Sequence, residues 1–277
     1  MNLDWLAKFL PPAPPPTNPN GANWYYKFAR FVAAPTAPQT TAVSIPTTAQ
    51  KGHMQVRDAI LAYNNGIANF AGGLTEWQNA EEGVAIHKIT LDQANAISTR
   101  IKPSCEAYEL PLTYTLACLA IESDLDPNCQ NANIGVTASG VKRSNPNNDP
   151  LLYDMGIAQL KLTYLVNVAH GVTDHDSALA FALDVNRAIP YHCSLMASKV
   201  LWAQNVIQQN TSSVPDPRLN NPYMLATAAY NFGNTGVMTY YETGQFPSHC
   251  QHVLDLETYF AKQLGVKSIF ADLTPTP

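Results

Sequence analysis

Charge is scarce in this chain. Asp, Glu, Lys and Arg make up 13% of its 277 residues, about half the share of an ordinary soluble domain. Surface polarity must then come from Asn, Gln, Ser, Thr and Tyr. This suits contact with a neutral, hydroxyl-rich ligand or with other proteins. The net charge is −5, and Lys and Arg nowhere gather into a run. The clustered cations that displace counterions from a phosphate backbone are missing, so no nucleic-acid partner is expected. No stretch reaches the ~18 consecutive apolar residues of a membrane-crossing helix, so no membrane insertion is expected. The start, Met1 to Leu10, has no basic segment, long apolar segment or small-residue cleavage site, and it runs into Pro11 and Pro12. It does not read as a secretory leader. The five cysteines, Cys105, Cys118, Cys129, Cys193 and Cys250, are odd in number and form no CxxC pair, which argues against a disulfide framework or zinc knuckle. His192–Cys193 and His249–Cys250–His252 could converge on a metal, but the reading taken is scattered packing and surface residues, with no metal and no cofactor.

Hydrophobic residues are plentiful, at 46%, enough for a sizeable core. Residues 1–52 form a Pro-rich stretch whose run Pro11–Pro12–Ala13–Pro14–Pro15–Pro16 favours polyproline II. Within it Trp24, Tyr25, Tyr26, Phe28 and Phe31 cluster. The stretch reads either as a linker or as an extended arm that docks on a partner. Val56, Ile60, Leu61, Tyr63 and Ile67 recur at helical spacing over His53–Phe70, ended by Ala71–Gly72–Gly73. A second helix is predicted over Leu91–Ile101, capped by Thr90. A third opens at Leu110–Pro111–Leu112 and runs to Ser123, stopped by Asp126–Pro127–Asn128. An Asn-, Gly- and Pro-rich loop follows to about residue 152. Further helices are expected over Gly156–Val168, over Ser177–Gln208 with a break near Pro190, over Pro222–Tyr230 and over His252–Leu264. The class is mainly α. The division expected is an arm over 1–52, a helical extension over 53–103, a catalytic domain over 104–264 and a tail over 265–277.

Glu122 stands out among the polar residues. Three, four and seven positions before it lie Leu119, Cys118 and Thr115, on or beside the apolar face that carries Leu112 and Leu116. The side chain therefore leaves the helix on its buried side, at the C-terminal end where the helix dipole disfavours negative charge. Both effects raise a carboxyl pKa. A carboxylic acid kept protonated near neutral pH can hand a proton to a glycosidic oxygen. A carboxylate that merely caps or pairs near a helix end is the bland alternative.

Three blocks in order tip the balance. Ala120–Ile121–Glu122–Ser123 with Leu125, Pro127 and Asn128 is the first. Gly156–Ile157–Ala158–Gln159–Leu160 is the second, and Ala228–Ala229–Tyr230–Asn231–Phe232–Gly233 with Gly236 the third. Together they resemble the lysozyme-like (SLT) catalytic domain of the lytic transglycosylases, and the resemblance covers about residues 104–264. Asp184–Val185–Asn186 sits where that family has an Asn opening a long helix. The resemblance implies Glu122 as sole catalytic acid/base and Ser123 orienting the substrate near its acetamido group. It implies Gln159 lining the glycan groove, Tyr230 hydrogen-bonded to Glu122, and Asn231 supporting the groove. Ala158 stands where the family usually has Met, and the loop between the first two blocks is long.

The activity so implied is cleavage of peptidoglycan between N-acetylmuramic acid and N-acetylglucosamine with formation of a 1,6-anhydro sugar, without metal or cofactor. A hydrolytic muramidase is the rival. It would need a second carboxylate roughly 5 to 9.5 Å from the first, with Asp124, Asp126, Asp149 and Asp154 as candidates. A structural or docking protein that has lost activity is the other rival. Wall-cutting domains without a leader are often carried by bacteriophage particles or secretion machines. The expectation is therefore a tail or baseplate component acting at the cell wall, with residues 1–50 binding an assembly partner. Export by another non-Sec route is the alternative.

Overall fold

The computed structural model describes residues 47–66, 88–131, 154–169, 171–209 and 216–273. The greater part of the Pro-rich arm, residues 67–87 with the expected Ala71–Gly73 stop, most of the long loop with Asp149, and the last four residues lie outside them. The described chain is mainly α. Its helices are α1 (Thr47–Gly66), α2 (Leu91–Ala107), α3 (Leu112–Ser123), α4 (Leu162–Val168), α5 (His175–Leu183), α6 (Val185–Gln209), α7 (Pro222–Thr243) and α8 (Ser248–Leu264), with a 3-10 turn over Pro217–Asn220. Three two-residue strands, β1 (Gln130–Asn131), β2 (Asp154–Met155) and β3 (Leu160–Lys161), form an antiparallel sheet in that order.

Helix α3 is the axis of the molecule. Every residue from Thr113 to Ile121 is buried, as expected of a helix apolar on all sides. It packs chiefly on α8. Around this pair α6 packs against α2 and α7, and α1 against α2 and α8. The stripe of α1 that faces the core is Val56, Ala59, Ile60 and Tyr63, a helical i, i+3, i+4, i+7 pattern. One hydrophobic core runs from Val56 to Phe270. The position between residues 103 and 104, expected as a boundary, falls inside α2. Pro103 does not end that helix because it is exposed and faces water, as does Thr99, whose carbonyl loses its amide partner there. Thr90 caps α2 in a capping box with Gln93.

Several other elements differ from the sequence reading. Helix α1 begins at Thr47, inside the stretch assigned to the arm. Gly156–Lys161 is not helical: β2 and β3 form a hairpin whose turn contains Gly156 and Gln159, both at positive φ (75° and 46°). The break between α5 and α6 lies at Asp184 rather than Pro190. The Asp184 carboxylate accepts from the backbone N–H of Asn186 at 2.9 Å and starts α6. Pro190 stays within the helix because the carbonyl it leaves unpaired, that of Asn186, belongs to an exposed residue. Helix α7 extends well past Tyr230, with a kink at Gly233 (φ 72°, ψ 161°), and α8 starts at Ser248.

The chain after α3 turns sharply. Asp124 and Leu125 both adopt the left-handed conformation, with φ of 55° and 64°, which costs a non-glycine residue roughly 1–2 kcal/mol. Burial of Leu125 and a clamp from α1 offset this. The Tyr63 hydroxyl donates to Asp124 Oδ1 at 3.0 Å, and Asn64 Nδ2 donates to the Asp124 carbonyl at 3.3 Å. Asn64 Oδ1 also accepts from Ile89 N at 3.0 Å. At the other end of α3, Glu257 of α8 accepts from Thr113 Oγ1 (2.6 Å), Ser268 and Ile269 N. It thereby fastens the segment that carries the buried Phe270.

Candidate functional site

Glu122 lies in the last turn of α3 at a crevice lined by Cys118 and Ile121 of the same helix, Met196 of α6, Thr227 and Tyr230 of α7, and His249 of α8. Its side chain is 17% exposed. Burial, and then the negative charge of Asp154, push its carboxyl up to about 8. Near neutral pH it therefore holds its proton, while a path to solvent remains.

The three sequence blocks meet here. Ser123 Oγ donates to the Ile157 carbonyl at 2.7 Å, with Leu119 O also in reach at 3.1 Å. The Tyr230 hydroxyl donates to the Ala158 carbonyl at 2.8 Å. The turn after β2 is thus bolted to α3 on one side and to α7 on the other. Gly156 lets it sit there, since a Cβ at that position would lie 2.0 Å from the Ala182 carbonyl oxygen of α5.

These bonds alter the roles expected for individual residues. Ser123 is buried, and its one proton serves the backbone, so it does not face a substrate. The Tyr230 proton goes to Ala158 O and not to Glu122, because that buried carbonyl needs a donor. Tyr230 nevertheless lines the Glu122 crevice, and Glu122, after burial, helps raise its phenol. With the Tyr230 proton so committed, the 3.3 Å contact to His192 Nδ1 is a bond from ring N–H to phenol oxygen. His192 Nε2 is then an unprotonated atom, buried with no hydrogen-bond partner among the described residues. Burial lowers the ring to about 3, so it is neutral. Gln159 turns its amide inward, with Nε2 donating to Gly156 O (2.9 Å) and Cys129 O (3.3 Å). Its Oε1 is buried without a partner among the described residues. Asn231 is exposed, just before the kink at Gly233.

Two further residues, both named in the sequence but not placed beside Glu122 by it, belong to the site. His249 places Nε2 3.7 Å from Glu122 Oε1, and its side chain is also 17% exposed. Burial, and then the nearby His252, lower its ring to about 4. In sequence, His249–Cys250–His252 reads as scattered packing and surface residues rather than as a metal cluster. Cys250 points into the core, and among the described residues no group of three or more His, Cys, Asp or Glu is placed to hold a metal. The other is Asp154, buried on the central strand β2. It was one of four candidate second carboxylates. Asp124 bonds to Tyr63, and Asp126 is buried and accepts from Asn128 N. Of the three candidates among the described residues, Asp154 is the one whose charge acts on Glu122.

Among the described residues no helix is long and apolar enough to cross a membrane. Comparison of the chain with models of known families, with curated protein sequences and with solved structures returns no match.

Proposed function

We propose that this protein is a peptidoglycan lytic transglycosylase with a lysozyme-like arrangement of its catalytic region. The observation that carries the reading is the neutral carboxyl of Glu122 at a crevice where three blocks distant in sequence interlock through Ser123, Ile157, Ala158 and Tyr230. Glu122 protonates the oxygen that bridges N-acetylmuramic acid to N-acetylglucosamine, and the C1–O bond breaks. The substrate's own acetamido oxygen meets the charge at C1. Glu122, now a carboxylate, takes the proton of the C6 hydroxyl as O6 closes onto C1. The acid is regenerated, and the product carries a 1,6-anhydro end. One carboxyl serves both proton transfers.

Asp154 favours a second reading. A buried carboxylate close enough to act on Glu122 could stabilise or attack the sugar cation, as in a hydrolytic muramidase. Mass analysis of digested, purified peptidoglycan separates the two, because an anhydro end is lighter than a reducing end by one water. Anhydro ends, abolished by Glu122→Gln, support the transglycosylase. Reducing ends alone replace it with the muramidase, and no cleavage by the parent removes both. The setting proposed is a phage tail or a secretion apparatus, reached through the N-terminal arm.

A further inference from the structure

We propose that His249 is the positioning partner of Glu122: its Nε2–H orients the carboxyl and steadies the carboxylate that exists between the two proton transfers. This rests on the glycan-cleaving reading above.

Elimination and geometry both lead to His249. The hydroxyls of Ser123 and Tyr230 donate to the carbonyls of Ile157 and Ala158, and the Gln159 amide to those of Gly156 and Cys129. None of these donors is directed at Glu122. His249 faces it from the opposite wall, with Nε2 3.7 Å from Oε1, just outside hydrogen-bond distance. Among the described residues no hydrogen bond holds its ring elsewhere, so a small rotation closes the contact. Catalytic hydrogen bonds are often long before substrate binds and shorten in the complex.

The electrostatics give the contact its direction. Once Glu122 gives up its proton, a carboxylate stands in a low-dielectric crevice near the negative Asp154. An N–H donated to it stabilises this state and leaves the neutral acid nearly untouched. His249 suits the task because it is uncharged. It lies in the first turn of α8, where the helix dipole also disfavours a cation, and the nearby His252 disfavours one further. A neutral donor steadies the carboxylate without trapping it as an ion pair, so the carboxylate can still take the C6 hydroxyl proton. The other titratable groups facing the pair are Cys118 on α3, Tyr230 on α7, and Asp154 on β2, which acts on Glu122. Burial pushes the Cys118 thiol and the Tyr230 phenol up, so both stay neutral through the working range.

The test uses His249→Phe and His249→Asn in the full chain. Turnover of purified peptidoglycan is measured against pH. The Glu122 carboxyl is followed by carbon-13 NMR without substrate, its signal assigned with Glu122→Gln. In His249→Phe the Glu122 titration and the alkaline limb of the rate profile should both move up by about one pH unit. The turnover rate should fall about tenfold, with KM little changed. His249→Asn, which keeps an N–H donor, should recover most of the rate. A rate loss with neither midpoint moved would reduce His249 to packing and overturn the proposal, as would a parental rate in His249→Phe. A parent protein inert on peptidoglycan overturns the glycan-cleaving reading, and the role of His249 in turnover with it. The substrate-free titration reports on the pair itself, so the two failures are told apart.

Discussion

Glu122 couples function to stability. Its folded carboxyl titrates near 8, against an ordinary value of 4.5. Between those values the folded protein holds a proton that the unfolded chain has released, so stability falls as pH rises through that window. His192 and His249 act in the opposite sense. Folding lowers their rings from 6.5 to about 3 and about 4, so stability is lost as pH falls below 6.5. Below that point the two histidines outweigh the single carboxyl, and from there to about pH 8, where burial has lowered the Lys199 ammonium, the carboxyl dominates. Maximal stability is therefore expected near pH 6.5. Glu122→Gln, which removes the ionisable group, should raise the stability measured by urea denaturation at pH 8, by on the order of 4 kcal/mol. The gain should vanish at pH 4.5. A gain independent of pH would mean that Glu122 is not buried as described.

At the scale of elements, the β2–β3 hairpin is the part that depends most on one residue. Gly156 combines a left-handed backbone with a position against the Ala182 carbonyl that no side chain fits. Gly156→Ala must push the turn away from α5 and loosen the bonds that Ser123 and Tyr230 make to it. A loss of about 3 kcal/mol or more in urea denaturation is expected, with the Glu122 titration shifted toward 4.5 as the crevice opens. A destabilisation under ~1 kcal/mol would show that the hairpin tolerates displacement. The apolar residues of Gly156–Val168 admit a helical period, yet residues 156–161 form a turn and β3. The decisive contact is with α5, and a window of local sequence does not contain it. The opposite holds for α2, whose Thr90–Gln93 capping box lies within four residues and was legible in part as Thr90.

For the molecule as a whole, the continuous core from Val56 to Phe270 argues against an independent unit starting at residue 104. Helix α1 supplies Tyr63 and Asn64 to the corner that follows Glu122, and α2 packs along α6. A fragment of residues 47–277 should melt at the temperature of the full chain, whereas one of residues 104–277 should not fold cooperatively. Circular dichroism on the two fragments decides this. If the arm is the anchor, the longer fragment should also keep any lytic activity while losing incorporation into its assembly.

The sequence by itself determined the mainly helical class and the apolar helix that carries Glu122 in its last turn. Each is a matter of local periodicity, in which residues three and four apart share a face whatever surrounds them. Only the tertiary structure decided that Tyr230 serves Ala158, that Ser123 serves Ile157, that Asp154 acts on the acid, and that His249 faces it. Those are contacts between segments far apart along the chain. Their partners are chosen by which buried carbonyls need a donor and which walls the packing brings together, and neither can be read from any one stretch of residues.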